Sequence, residues 1–202
     1  TLVRADTVAE SEYELLEPWI QWVSVYTGKS FADHKIFRLG ESAGQSACPE
    51  QIFKTLEQRG LQVGAVASMN ALNNLERASY FVPDPWTPTS VTGNGFARRF
   101  YDMIRQTVNQ NSAGKISIQS LMILVETVLR TLNIKQTSAL VLLVLSCFKK
   151  PWQKAVVLDR LIHMVHLKLW RAAKPDCSFV FLNAGAHVQH HYFFNSDHAQ
   201  HP

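Results

Sequence analysis

Cysteine is scarce in this chain. Cys48, Cys147 and Cys177 are the whole set, and no two of them form a CxxC pair. An odd, scattered set gives no disulfide framework and reads as reduced, packed thiols. Long apolar runs are missing as well. The longest uncharged apolar stretch, Gln136 to Phe148, is thirteen residues. A membrane-spanning helix needs ~20, so this stretch is expected as a buried or interfacial helix. The opening residues, TLVRADTVAESEYELLEP, contain no basic segment followed by an apolar run and do not read as a signal peptide. Basic clustering is also weak: the net charge is +4 and the pI about 9.0, but Lys and Arg are scattered apart from Arg98-Arg99 and Lys149-Lys150. The chain lacks the basic stripe or recognisable module of a nucleic-acid-binding protein.

What is present is a chain of 202 residues with 47% hydrophobic and 18% charged residues. That composition belongs to a soluble globular protein and allows one sizeable domain, or one domain carrying an insertion. The chain starts without Met and stops in a polar, His-rich run, so both ends are expected to be internal to a longer protein.

Pro18 to Gly28 carries Pro in its first turn and Gly at its end, the two punctuation marks of a short helix. Trp19, Trp22, Val23 and Tyr26 fall on one face of it, expected as core rather than as a ligand cage. Lys29 to Gly44 reads as a loop containing His34, Arg38 and Glu41. A second helix runs from Glu50 to Arg59, with Ile52, Phe53 and Leu56 buried and Glu50, Lys54, Glu57 and Arg59 solvated. Leu61 to Ala67 is a small-residue apolar strand of the kind found in buried parallel sheets, ending in Ser68-Met69-Asn70. It implies an earlier strand to pair with, and the upstream sequence offers none. Tyr80 to Pro88 reads as a Pro-punctuated extended connection packed on the surface.

From Phe96 to Ala173 the pattern is almost wholly helical, with helices expected at Phe96–Asn109, Ser117–Leu132, Thr137–Phe148 and Trp152–Arg171. His163 and His166 lie three apart in the last and read as packed or rim residues. The chain therefore divides into an α/β segment, residues 1–95, a helical insertion, 96–175, and a return to α/β texture, 176–202.

That return, SFVFLNAGAHVQHHY, holds a short strand at Phe179 to Leu182, a turn at Asn183 to Gly185, and then His187, His190 and His191. Metal-capable side chains at the carboxyl end of a strand stand where α/β proteins usually place their sites. His187 and His191, four apart, share one side of a helix and so match a two-imidazole metal site. The alternative is a His-rich, partly exposed helix that binds nothing.

The segment EPWIQWVSVYTGKSFADHKIF resembles the stretch after the nucleophile in the alkaline phosphatase superfamily, in its sulfatase-like and type I phosphodiesterase–nucleotide pyrophosphatase branch. Pro18, Ser24, Thr27, Gly28, His34 and Ile36 carry the resemblance. Phe31 departs from the usual Pro, and Lys35 from the Gly usual after His. IFKTLEQRGLQVGAVASMNA is similar to the helix and strand that follow in that family. The resemblance implies a parallel sheet flanked by helices with an alkaline-phosphatase-like core. It further implies a hydrolase of phosphate or sulfate esters that uses two divalent metal ions, often zinc. Within that pattern Asn183 and His187 match the Asp and His of a metal motif, Asn standing for Asp, and His191 is offered as a further ligand. His34 and Asn70 are expected to line the site. Asp6-Thr7 is the one acid-plus-hydroxyl pair before the first helix, which makes Thr7 the nucleophile candidate inside the chain. The substrate is a small-molecule phosphate or sulfate ester. A different class of reading also stands: a non-catalytic family member, or an interaction module that uses the helical block to bind a protein or lipid surface.

Overall fold

The computed structural model describes residues 12, 15, 17–44, 48–109 and 117–192, without the side chains of 109, 190 and 191. At its centre lies β1, Val63–Val66, paired in parallel with β2, Tyr80–Val82, on one side and β3, Cys177–Val180, on the other. All four residues of β1 are buried. That explains why its sequence is continuously apolar rather than alternating: a parallel strand covered on both faces has no polar side. Both partners of β1 lie downstream, not upstream as the sequence implied.

The pleat sends alternate residues to opposite faces. Val63, Ala65, Phe81 and Phe179 meet α1, Pro18–Thr27, and α3, Ile52–Gln58, in a layer built around Tyr26 and Phe53. Phe53 packs its ring against Phe81 and Phe179 at 5.9 and 4.8 Å. Val66, Tyr80 and Val82 meet the helical block on the other face, through Phe100, Ile104, Leu161 and Val165. The block comprises α4, Gly95–Asn109, α5, Ile118–Thr131, α6, Ile134–Ser146, and α7, Gln153–Ala173. The chain is thus an α/β protein whose small three-stranded parallel sheet is flanked by helices. Among the described residues it has eight α-helices, α2 being Phe31–His34 and α8 Ala184–Tyr192. None of these helices is long and apolar enough to cross a membrane.

Local sequence explains most boundaries. Pro18 occupies the first turn of α1, and Gly28 closes it in the left-handed conformation, its N–H reaching Ser24 O at 2.8 Å. Ile20 joins Val23 and Tyr26 in the core, while Trp19 and Trp22 are half-buried. α6 starts at Ile134, three residues before the expected Thr137, because Asn133 and Gln136 form a reciprocal capping box. Ser117 caps α5 by accepting from Ser120 N at 3.0 Å.

Other expectations need correction. The loop at 29–44 contains α2, with a Ser30–Asp33 capping box, and a 3₁₀ turn at Glu41–Gly44. In α3, Ile52 is 36% exposed and Glu57 is buried. Phe53, Leu56 and Glu57 stand at i, i+3 and i+4 on the side that meets the sheet. Glu57 is accommodated there by Lys54 Nζ at 2.8 Å and Arg77 N at 2.6 Å. The segment from Tyr80 is not a surface connection: Tyr80 to Asp84 is buried and begins with strand β2. β3 starts two residues earlier than expected, and Gly185 lies inside α8 rather than in a turn.

Candidate functional site

The carboxyl ends of the three parallel strands lie side by side and release the chain at Ala67, Pro83 and Phe181. After β1 the backbone turns sharply, with Ala67 and Asn70 both at φ 56°. The left-handed region disfavours a Cβ, but Asn tolerates it better than most residues. Asn70 is fully buried and anchors the turn. Its Oδ1 accepts from Gly40 N at 2.6 Å, and its Nδ2 donates to Trp19 O at 3.0 Å and Arg38 O at 3.3 Å. Its carbonyl accepts from Ser42 Oγ at 3.1 Å and Gln51 Nε2 at 2.9 Å. Every polar group of its side chain is committed to the fold.

Its backbone N–H donates to Asp84 Oδ2 at 2.9 Å, the buried carboxylate that follows β2. Asp84 Oδ2 also accepts from Thr87 Oγ1, and Oδ1 accepts from Trp86 N at 2.8 Å and Thr87 N at 2.9 Å. Burial pushes the Asp84 carboxyl above its ordinary value, and these four donors oppose that shift by favouring the charged form. A buried carboxylate at a strand end is a candidate for chemistry. Here both oxygens are already doubly bonded by donors, so Asp84 locks the β1 and β2 exits together. Sequence reasoning missed it. The signal was Asp84-Pro85-Trp86-Thr87, an acidic side chain positioned to bond amides two and three residues on.

His34 is buried as well. Its Nδ1 accepts from Ile36 N at 3.0 Å, which leaves the proton of the neutral ring on Nε2, 3.1 Å from Ser24 Oγ. The ring also packs edge-on against Phe31, centroids 5.7 Å apart. His34 and Asn70 thus belong to one hydrogen-bonded block of α1, α2 and the turns behind the strand ends.

Asn183 and His187 occupy the exit of β3. Asn183 is exposed, His187 is half-buried, and His187 N donates to Asn183 O at 3.0 Å, one helical turn away. The start of α8 is held from outside: Asp159 on α7 accepts from Asn183 N at 3.0 Å and from Ala184 N at 2.6 Å. An acidic side chain there satisfies two end amides and complements the positive end of the helix. Asp159 was another omission of the sequence reading, since only the packing of α8 on α7 brings it to this position. The side chain of His191 and the whole of Thr7 lie outside the described residues.

The metal expectation can be tested against this donor set. A structural or catalytic zinc ion takes about four ligands. The β3 exit supplies an amide and an imidazole one helical turn apart in sequence, and Asp159 is committed to amides. No group of three or more His, Cys, Asp or Glu side chains placed to hold a metal occurs among the described residues. Asn183 and His187 therefore do not by themselves make up a metal site. Compared with protein-family models, with curated proteins and with solved structures, the chain matches none.

Proposed function

We propose that this chain carries one edge of the active site of a metal-dependent hydrolase of small-molecule phosphate or sulfate esters. Its sheet would be an alkaline-phosphatase-like core into which the helical block is inserted. The observation that supports the reading is the position of Asn183 and His187, at the carboxyl end of a strand in a parallel sheet, where such sheets place their ligands. Zinc or another divalent ion would supply Lewis-acid chemistry to the ester. His187 and Asn183 are this chain's contribution to holding it. His34 and Asn70 then act behind the site, fixing the turns rather than touching substrate.

The test is hydrolysis of generic phosphomonoester, phosphodiester and sulfate-ester substrates with and without added zinc. Zinc-dependent turnover that disappears in His187→Ala supports the reading. Zinc-dependent turnover that His187→Ala leaves unchanged overturns it.

A second reading, in which the helical block is a contact surface, is favoured by a separate observation: α5 and α6 turn large apolar side chains outward.

A further inference from the structure

Helix α5 is apolar on its outer side as well as on the side that packs, where Ile123 is buried and Leu124 and Val128 are half-buried against the core. Ser120 and Thr127 are buried, whereas Ile118, Leu121, Met122, Val125 and Leu129 are 51–79% exposed. These five fall at i, i+3, i+4, i+7 and i+11, a single apolar stripe. The buried hydroxyls are satisfied internally, Thr127 Oγ1 by Ile123 O and Ser120 Oγ by Gln106 Oε1. On α6 and just beyond it, Ile134, Val141, Leu142, Leu145 and Phe148 are 51–89% exposed. The two stripes meet at a groove of about 670 Å³ walled by Val128, Leu132 and Leu142. An exposed apolar surface this continuous marks a contact site.

The charge pattern selects the partner. Between Glu126 and Asp159 the sequence has no acidic residue and five basic ones. Arg130 is paired with Glu126 at 2.8 Å, which leaves Lys135, Lys149, Lys150 and Lys154, all exposed. A second copy docked on this face about a two-fold axis would present the same patch to itself. Copies docked this way would bring together faces that carry four lysines unpaired among the described residues and whose one carboxylate, Glu126, is already paired with Arg99 and Arg130. An anionic surface reverses that repulsion. The stripe of α6 is also too short to span a bilayer, which leaves an in-plane position with the apolar side down and lysines at the headgroups.

We propose that the α5–α6 face is a peripheral membrane-binding surface for anionic phospholipid. It buries the apolar stripes at the acyl boundary and sets Lys135, Lys149, Lys150 and Lys154 against phosphate. The proposal rests on the contact-surface reading of the helical block and is independent of the hydrolase reading.

The test is sedimentation of the chain with vesicles of equal parts phosphatidylglycerol and phosphatidylcholine, and with phosphatidylcholine alone, alongside light scattering of the free chain. The expected result is binding to the anionic vesicles and little to the neutral ones. At about fivefold per lysine, Lys149→Gln with Lys150→Gln weakens binding roughly twentyfold or more. Leu142→Asp with Phe148→Asp abolishes it while leaving the helical circular dichroism intact, since both side chains are exposed. Equal binding by the aspartate variant, or equal binding to both vesicle types, overturns the proposal. So does a dimer that Leu142→Asp dissociates while wild type ignores vesicles; in that case the contact surface stands and its partner is a second copy. A monomer that binds neither vesicle overturns the proposal too.

Discussion

Tyr80 Oη lies 2.6 Å from Ser178 Oγ, although the two residues sit on strands that do not touch. Both are in register with Gly64 on the strand between them. The tyrosine ring crosses the bare backbone of Gly64 to reach its partner, and a Cβ at Gly64 would stand 2.4 Å from Tyr80 Cζ. His166 of α7 closes the arrangement, its ring 6.2 Å from that of Tyr80 and its Nε2 3.5 Å from Ser178 Oγ. One small residue in the central strand thus lets the sheet be tied across its width.

Gly64→Ala is accordingly predicted to cost about 2 kcal/mol or more, at the upper part of the range for overpacked cores, because the obstructing atoms belong to a buried ring. Urea unfolding monitored by tryptophan fluorescence measures it. A midpoint equal to wild type contradicts the crossing of the ring over Gly64.

His166 makes stability depend on pH. Its imidazole is buried, and Nδ1 has no hydrogen-bond partner. Desolvation, and then the neighbouring His163, hold its pKa below the ordinary 6.5. The folded state therefore releases this proton at a lower pH than the unfolded state does. The neutral ring's contribution is complete above about pH 6.5 and is lost as pH falls from there toward the folded value. Denaturant midpoints measured from about pH 7.5 to 5.5 should fall more steeply in wild type than in His166→Phe. Parallel slopes in the two proteins contradict the assignment.

Asp84→Asn replaces an acceptor of four donors with a side chain that offers two donors of its own. The amides of Asn70, Trp86 and Thr87 cannot all be satisfied, and the predicted loss is roughly 2–3 kcal/mol. Thermal unfolding checks it. A variant as stable as wild type shows that Asp84 is not what holds the exits of β1 and β2 together.

Elements whose signals are local were legible in the sequence. Pro18 and Gly28 bracket α1, Val63 to Val66 announces a doubly covered strand, and the helical block shows its period from Phe96 onward. β2 was hidden because Pro83 and Pro85 directly follow a strand only three residues long. Its place is decided by pairing with β1, which no local pattern encodes. β3 was read two residues late because Cys177 and Ser178 open it on a partly exposed edge. For α5, the pattern gave the helix but not which side packs: Ser120, Ile123 and Thr127 face the core, while Ile118, Leu121, Met122, Val125 and Leu129 face outward. At the candidate site, His187 and His191 stood out by spacing, and Asn183 entered only through the resemblance. Asp84 carried a local turn signal that went unread, whereas Gln51 and Asp159 became visible only once the packing of separate segments had brought their bonding partners to them.

The hydrolase reading is tested most directly by zinc titration of the purified chain, followed by calorimetry, in wild type and His187→Ala. The account predicts binding tighter than about millimolar, weakened about tenfold or more when the imidazole is removed, as for loss of a side chain that determines metal affinity. Absence of binding at millimolar zinc, or equal affinity in the two proteins, would contradict it.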